Sequence, residues 1–281
     1  MSAGILYIVA TPIGNLQDIT YRAVATLEKV DLIAAEDTRH SQKLLQHYAV
    51  KTPMFALHDH NERQKSQLLI TKLLQGNNIA LISDAGTPLI SDPGYHMVVA
   101  CRKADIEVVP IPGASALTAA ISAAGLATDT FTFKGFLPVK AVAKQQAIAQ
   151  LVEEYATTIF YEAPRRVEDT LQLLVERYPE RQMVLAKELT KQFENFVSGT
   201  PSDVLQWLKA DQGHSKGEFV LLISGAQKQA DQIPSEAKQL LTLLLADLPL
   251  KKAAASVAKH YNLKKNQLYQ YGLSLQENSH N

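Results

Sequence analysis

The chain has 281 residues, 46% of them hydrophobic and 20% charged, as expected of two ordinary globular domains with a small appendage. Lys plus Arg and Asp plus Glu both number 28, so no global charge marks a nucleic-acid binder, and RNA contact has to come from local patches. A single cysteine, Cys101, excludes an intrachain disulfide and a cysteine-rich zinc site, which suits a reducing cytosol.

The opening Met-Ser-Ala-Gly-Ile-Leu-Tyr-Ile-Val-Ala lacks a basic region and soon meets Pro12 and Asn15. It reads as a first strand, Leu6 to Ala10, and not as a signal peptide. No apolar run is long enough to span a bilayer, so a cytoplasmic protein without a membrane partner is expected. Thr20 caps a helix whose Ala23, Leu27 and Val30 share one face. A strand follows at Leu32 to Ala35, then a helix carrying Leu44, Leu45 and Tyr48. Asn61 stands at the next helix start and Gly76 at its end. Ile79 to Ser83 and Ile106 to Pro110 read as buried strands around a helix from His96 to Lys103. This alternation predicts a mostly parallel sheet flanked by helices.

An Ala-rich helix, Ser115 to Ala124, bridges to a second half of mixed α/β character. Its predicted elements are a strand at Phe131 to Phe136, a helix from Ala141 to Tyr155, a strand at Thr157 to Tyr161 and a helix from Arg166 to Tyr178. Met183 to Glu188 and Glu194 to Ser198 read as a hairpin, Thr200-Pro201-Ser202-Asp203 as a capped helix start, and Glu218 to Ser224 as the closing strand. Polar residues 225–234 read as a linker. Beyond it, helices at Ser235 to Asp247, Leu250 to His260 and Lys264 to Tyr271 suggest a helix-turn-helix-like module. The expected domains are 1–114, 115–228 and 235–281.

Four loops follow strands, where ligands sit in open α/β sheets. Thr11-Pro12-Ile13-Gly14-Asn15-Leu16 lacks both the glycine spacing for a pyrophosphate and the lysine of a P-loop. Glu36-Asp37-Thr38-Arg39 places two carboxylates, costly to desolvate, at the end of a buried strand; Asp37 is equally suited to cap the next helix. The twelve residues Ser83 to Gly94, SDAGTPLISDPG, exceed what a simple connection needs. Within them Gly86 permits close backbone approach and Asp84 can accept hydrogen bonds from an ammonium or hydroxyl. Pro112-Gly113-Ala114-Ser115 opens a helix N-terminus able to receive a carboxylate or hydroxyl.

In this order the Pro12 loop, the Asp84 loop and Pro112 to Ser115 resemble the tetrapyrrole methylase superfamily. The fuller strings TPIGNLQDIT (Thr11 to Thr20), EDTR (Glu36 to Arg39), SDAGTPLISDPG, FYEAPR (Phe160 to Arg165), KELTK (Lys187 to Lys191) and KGEFV (Lys216 to Val220) resemble one branch of it. That branch methylates a ribose 2′-hydroxyl of a decoding-centre cytidine in 16S ribosomal RNA. The resemblance runs from about Leu6 to the C-terminus. It implies two α/β domains with S-adenosylmethionine in the cleft between them, a homodimer, and a substrate within the small ribosomal subunit. Implied cofactor contacts fall at Pro12, Ile82, Ser83, Asp84, Thr87, Ser115, Ala116, Tyr161, Glu162 and Ala163. Asp37 stands where a tetrapyrrole methylase carries its proton acceptor. A glycine-rich first loop and a Gly-Asp-Pro second loop, typical of the superfamily, are replaced here, which counts against a porphyrin substrate.

A ribose hydroxyl needs a base or a cation that stabilises the alkoxide. Asp37 is the leading base, Glu36 the second, and Arg39 and Lys187 the cations. Alternatively, Arg39 pairs with Glu36 and Lys187 with Glu188. No metal is needed, and the eight histidines show no ligand spacing. RNA-contact candidates are Lys134, Lys140 and Lys144, Arg165 and Arg166, and in the tail Lys251, Lys252, Lys259, Lys264 and Lys265, with Tyr269 and Tyr271 as stacking faces. The competing reading is a solvated basic face over core tyrosines. A tetrapyrrole methylase and a non-catalytic RNA-binding module remain the alternative functions.

Overall fold

The computed structural model describes residues 2–58, 61–226 and 233–278. The chain forms two compact units, Met1–Ala226 and Gln227–Asn281.

The first unit contains two five-stranded sheets. In the first half β1 (Leu6–Val9), β2 (Leu32–Ala35), β3 (Met54–Ala56), β4 (Ile79–Ile82) and β5 (Val108–Ile111) lie in the order β3-β2-β4-β1-β5, every pairing parallel. Alternation along the strands sends residues to opposite faces. Ile33, Ala35, Ala80 and Ile82 pack on one face with Leu27 of helix α1 (Tyr21–Lys29) and Leu45 of α2 (Thr38–His47). Leu6, Ala34, Ile79 and Leu81 pack on the other with Leu69 and Leu73 of α3 (Glu62–Leu74) and Met97 and Cys101 of α4 (Tyr95–Lys103). The helices that cross between parallel strands thus cover both faces, as buried parallel sheets require.

After α5 (Ala116–Ala123) come β6 (Phe131–Phe136), α6 (Ala141–Ala149), β7 (Thr157–Glu162), α7 (Pro164–Arg177), β8 (Met183–Lys187), β9 (Asn195–Gly199), α8 (Pro201–Ala210) and β10 (Phe219–Ile223). The strand order is β6-β7-β10-β8-β9, with β6 parallel to β7 and the remaining pairs antiparallel. Phe160, Leu185 and Leu221 meet Val167 of α7 and Val204 of α8 on one face. Ile159, Val184, Ala186 and Leu222 meet Ala120 and Ile121 of α5 on the other, and Ile13, from the loop after β1, joins this cluster. That contact ties the two sheets together.

Three differences from the sequence expectation have local causes. Strand β3 was not foreseen, because three residues beside Pro53 carry no periodicity. The helix expected over 141–155 stops at Ala149 and tightens into a 3-10 turn over Gln150–Glu153. There the Tyr178 hydroxyl donates to the carbonyls of Ile148 and Ala149, and the Arg181 guanidinium to that of Leu151. Asn61 precedes α3 without capping it; its side chain accepts from the His58 backbone N–H instead. Thr200 and Asp203 form the expected capping box with Pro201 at the first helical position.

The second unit has α9 (Ser235–Leu244), α10 (Leu250–Tyr261) and α11 (Lys265–Asn278) around Ala237, Leu241, Ala253, Ala254, Val257 and Leu268. Asn262 makes the bend after α10 in a left-handed conformation, φ 52°, which asparagine tolerates. Of the linker read over 225–234, residues 227–232 lie outside the described residues.

Candidate active site

The order of the first sheet creates the site. Adjacent strands β1 and β4 send the chain in opposite directions, β1 toward β2 and β4 toward β5, and a crevice opens at such a reversal. The two loops leaving it are stitched together: Thr11 N–H donates to the Gly86 carbonyl at 2.8 Å and Gly86 N–H returns to the Thr11 carbonyl at 3.0 Å. Gly86 holds φ 85°, and a Cβ there would lie 3.2 Å from Ile13 Cγ2, so glycine serves both the turn and the close approach.

A cleft of about 400 Å³ opens between these loops and the second sheet, within the roughly 300–1,000 Å³ of small-molecule sites. Asp84, Thr87, Ser115, Ala116, Tyr161, Glu162 and Ala163 all line it, which brings together loops far apart in sequence. Pro12, Ile82 and Ser83 do not; they are buried behind it, with the Ser83 carbonyl 3.3 Å from the Thr11 hydroxyl that donates to it. Glu36, Asp92 and Glu218 add carboxylates, and no lysine or arginine is among the lining residues.

Several lining groups already have partners. The Thr87 hydroxyl donates to the Ala114 carbonyl at 3.0 Å. Tyr161 Oη accepts from Leu117 N–H at 3.1 Å, and burial pushes the Tyr161 phenol up. The Glu162 carboxylate, fully buried, accepts from Arg166 Nε at 2.7 Å, Thr170 Oγ1 at 2.8 Å and Ala163 N–H at 2.9 Å, so its side chain is already committed. Glu218 pairs with Lys191 at 3.1 Å.

The two adjacent carboxylates divide. Glu36 lines the cleft and accepts from Asp84 N–H at 3.3 Å, while Asp84 Oδ1 accepts from Asp37 N–H at 3.0 Å. These reciprocal bonds lock the second loop to the third. Asp37 is not among the lining residues. It caps α2, accepting from Arg39 N–H at 2.8 Å, and pairs with the Arg39 guanidinium at 3.1 Å. Hydrogen bonds from the Arg39 side chain and backbone hold its carboxyl at about 2. Arg39 therefore pairs with Asp37, not with Glu36. Lys187 is buried at the end of β8, level with Phe219, and has no ion pair among the described residues. Against the upward push of burial, the Glu188 carboxyl is held down chiefly by hydrogen bonds from Lys191 and the Glu218 backbone, with Lys187 a lesser contributor.

Sequence reasoning passed over Ile13, Ile90, Ser91, Asp92, Phe136, Pro164, Leu189, Glu218, Phe219 and Val220 as lining residues. Asp92 lay inside a loop already singled out. Phe136 carried no signal, because its position depends on a strand irregularity. A further link between the sheets, Asn15 N–H to Thr190 Oγ1 at 3.1 Å, was equally invisible.

Of the RNA-contact candidates, Lys140, Arg165, Lys251, Lys252, Lys259, Lys264 and Lys265 are exposed. Arg166 is committed to Glu162, and Lys144 is buried with its ammonium 3.3 Å from Thr170 Oγ1. Lys134 pairs with Glu154 at 3.2 Å. Tyr269 and Tyr271 pack against the helical core, and Lys238 sits 5.3 Å over the Tyr271 ring, so the core reading of these tyrosines applies. Among the described residues no group of three or more His, Cys, Asp and Glu is placed to hold a metal ion. No helix there is long and apolar enough to cross a membrane.

Two sheets joined in one unit, with an acidic cleft at the strand reversal, define a class. The chain belongs to the Tetrapyrrole (Corrin/Porphyrin) Methylases, whose family model matches residues 5–205. Among solved structures, diphthine synthase superposes with a TM-score of 0.62 at 14% identity, covering 79% of this chain and 90% of that one. The uroporphyrin-III-C-methyltransferase of Thermus thermophilus gives 0.56 at 19%, covering 79% and 94%. These likenesses concern the fold alone.

A second model, the RsmI C-terminal HTH domain, matches residues 231–276. The chain is 58% identical to ribosomal RNA small subunit methyltransferase I of Pasteurella multocida, over 96% of its own length and 97% of that protein. It is 55% identical to the protein of the same name from Haemophilus influenzae over 96% and 97%, and 52% to that from Escherichia coli O157:H7 over 98% and 96%.

Proposed function

We propose that this protein is an S-adenosylmethionine-dependent methyltransferase acting on a ribose 2′-hydroxyl of a decoding-centre cytidine in 16S ribosomal RNA, within the small subunit and in the cytoplasm. The observation that carries the reading is near-full-length identity above 50% to proteins named for small-subunit ribosomal RNA, spanning both the methylase part and the helical module. The fold alone would not select this substrate.

The cleft suits the donor. S-adenosylmethionine carries a sulfonium and an ammonium and supplies an electrophilic methyl group. A lining with Glu36, Asp84 and Asp92 and without basic side chains favours such a cation over a nucleoside triphosphate. Asp84 holds one oxygen on the Asp37 backbone, and its other is available to a hydroxyl or ammonium. The N-terminus of α5 at Ser115 and Ala116 is suited to a carboxylate. In our reading Asp84, Thr87, Ser115, Ala116, Tyr161 and Ala163 hold the donor directly, while Pro12, Ile82, Ser83 and Glu162 fix the loops that do so.

For the base, we favour Glu36. Of the adjacent pair it is the one on the cleft wall, whereas Asp37, held at about 2 by Arg39, accepts protons poorly. Lys187 is buried and does not line the cleft, so it is set aside as partner of the alkoxide, and Arg39, 90% exposed at its side chain, would meet a phosphate of the incoming strand. Domain limits at 114 and 235 and a homodimer complete the proposal, with the exposed lysines of α10 and α11 docking RNA.

The test is transfer from radiolabelled S-adenosylmethionine to assembled small subunits, free 16S ribosomal RNA or a porphyrin precursor, alongside calorimetry of donor binding. Transfer to RNA is expected, with donor affinity weakened by Asp84→Ala. Transfer to the porphyrin alone, or no binding of the donor, contradicts it.

A further inference from the structure

The edge strand β6 contains one residue too many. Phe133 pairs with Ile159 and Phe136 with Tyr161, so three steps on β6 match two on β7. Gly135 absorbs the extra residue at φ 64°, where a side chain is disfavoured, and its Cα faces Ser91 Oγ closely enough that a Cβ would lie 3.3 Å away. The consequence is a matter of parity. Side chains alternate along a strand, so in a regular β6 Phe136 would point away from the face that carries Phe133. The bulge returns it to that face.

There both phenylalanines meet the Tyr161 ring edge to face, Phe133 at 4.8 Å and Phe136 at 5.5 Å between centroids. Phe133 is half-buried, but Phe136 lines the cleft and keeps 54% of its surface exposed. A bulge gives up ladder hydrogen bonds, and an exposed ring leaves apolar surface in water. Neither is needed to close the sheet. Ile90, 36% exposed, lines the same cleft from the opposite side's long loop, between two residues with left-handed backbones, Leu89 at φ 72° and Ser91 at φ 69°. Two irregular segments, one from each sheet, therefore bring apolar side chains to the open part of the cleft.

We propose that Phe136 is the stacking platform for the base of the nucleotide whose ribose is methylated. A single-stranded nucleotide entering the cleft brings a flat π face, and a ring that meets Tyr161 yet keeps 54% of its surface exposed is matched to it. The target base is favoured over the donor's adenine because the exposed ring meets what arrives from solvent, while the half-buried Tyr161, Ser115 and Ala163 belong to the proposed donor wall. The proposal rests on RNA being the substrate. It adds the side chain that holds the base, and with it the ribose, against the methyl donor.

The experiment uses the full-length protein with purified small subunits and labelled S-adenosylmethionine, comparing Phe136→Ala, Phe136→Leu and Phe136→Tyr. Loss of one stacked base corresponds to roughly ten- to a hundred-fold in kcat/KM. That loss is expected for the Ala and Leu variants, with Tyr close to wild type and donor affinity by calorimetry within about two-fold throughout. Leu keeps apolar bulk without a π face, so equal activity of Leu and wild type overturns stacking. A parallel loss of donor affinity in the Ala variant assigns the ring to the donor and overturns the proposal as well. Wild-type protein that binds the donor yet methylates no RNA overturns the RNA reading itself, whatever the variants do.

Discussion

Asp37 and Glu36 are neighbours with different fates, set by where each carboxylate finds its donors. Asp37 faces its own helix, and the Arg39 side chain and backbone hold it at about 2 against an ordinary 3.8. Its folded value lies below its unfolded one, so its contribution to stability is complete above about 3.8 and fades as pH falls toward 2. An NMR titration should place its midpoint near 2, and Arg39→Ala should raise it; an unchanged midpoint would deny the pairing. For catalysis, Glu36→Gln should lower the methyl-transfer rate about 10²-fold while keeping donor affinity, and Asp37→Asn should stay within a few-fold, since Asn still caps α2. The reverse pattern in single-turnover rates would make Asp37 the base. Cys101 is fully buried, and desolvation pushes its thiol to about 11, so native protein should resist thiol reagents. The sequence shows that two carboxylates end a strand, but not which one turns inward. That choice depends on Arg39 and Asp84, whose hydrogen bonds form only once the loops are folded.

Among the elements, α4 has an unusual beginning. Its N-cap is Gly94 at φ 128°, which has no side chain to offer, and Glu62, buried on α3, supplies the acceptor by taking the Met97 N–H at 3.0 Å. This contact pins the end of the loop that starts at Ser83. Glu62→Ala should therefore cost about 1–2 kcal/mol in chemical denaturation, as loss of a cap does, and also weaken donor binding. Glu62→Gln keeps an acceptor and should recover most of both; equal damage from both variants would show that the charge, not the cap, matters. Helices with their own caps were legible from sequence, as at Thr20 and Thr200. A cap delivered from another helix was not, because its partner lies 35 residues away. The bulge in β6 was hidden for a similar reason: the run Phe131 to Phe136 looks regular, and the extra residue appears only against β7.

Taken whole, the molecule joins a neutral chain to local concentrations of charge: an acidic cleft in the first unit, and on the second exposed Lys251, Lys252, Lys259, Lys264 and Lys265. Changing Lys251, Lys252, Lys264 and Lys265 to alanine should weaken RNA binding, with the salt slope shallower by about 0.7 for each single-strand phosphate that is no longer neutralised. An unchanged slope would mean that these lysines only solvate their helices. The alternation of strands and helices and the loops at strand ends were readable because hydrophobic period and turn chemistry are local properties. The closing of the cleft by Phe136 was not, and Tyr161 was reached only through the family resemblance, since both depend on the second sheet packing against Ile13. The most direct test of the central claim is to methylate small subunits with labelled S-adenosylmethionine, then hydrolyse the RNA in alkali. A methyl on a ribose 2′-oxygen removes the nucleophile that alkali needs, so the account predicts label in one alkali-resistant dinucleotide. Label released wholly in mononucleotides, on a base, would contradict it.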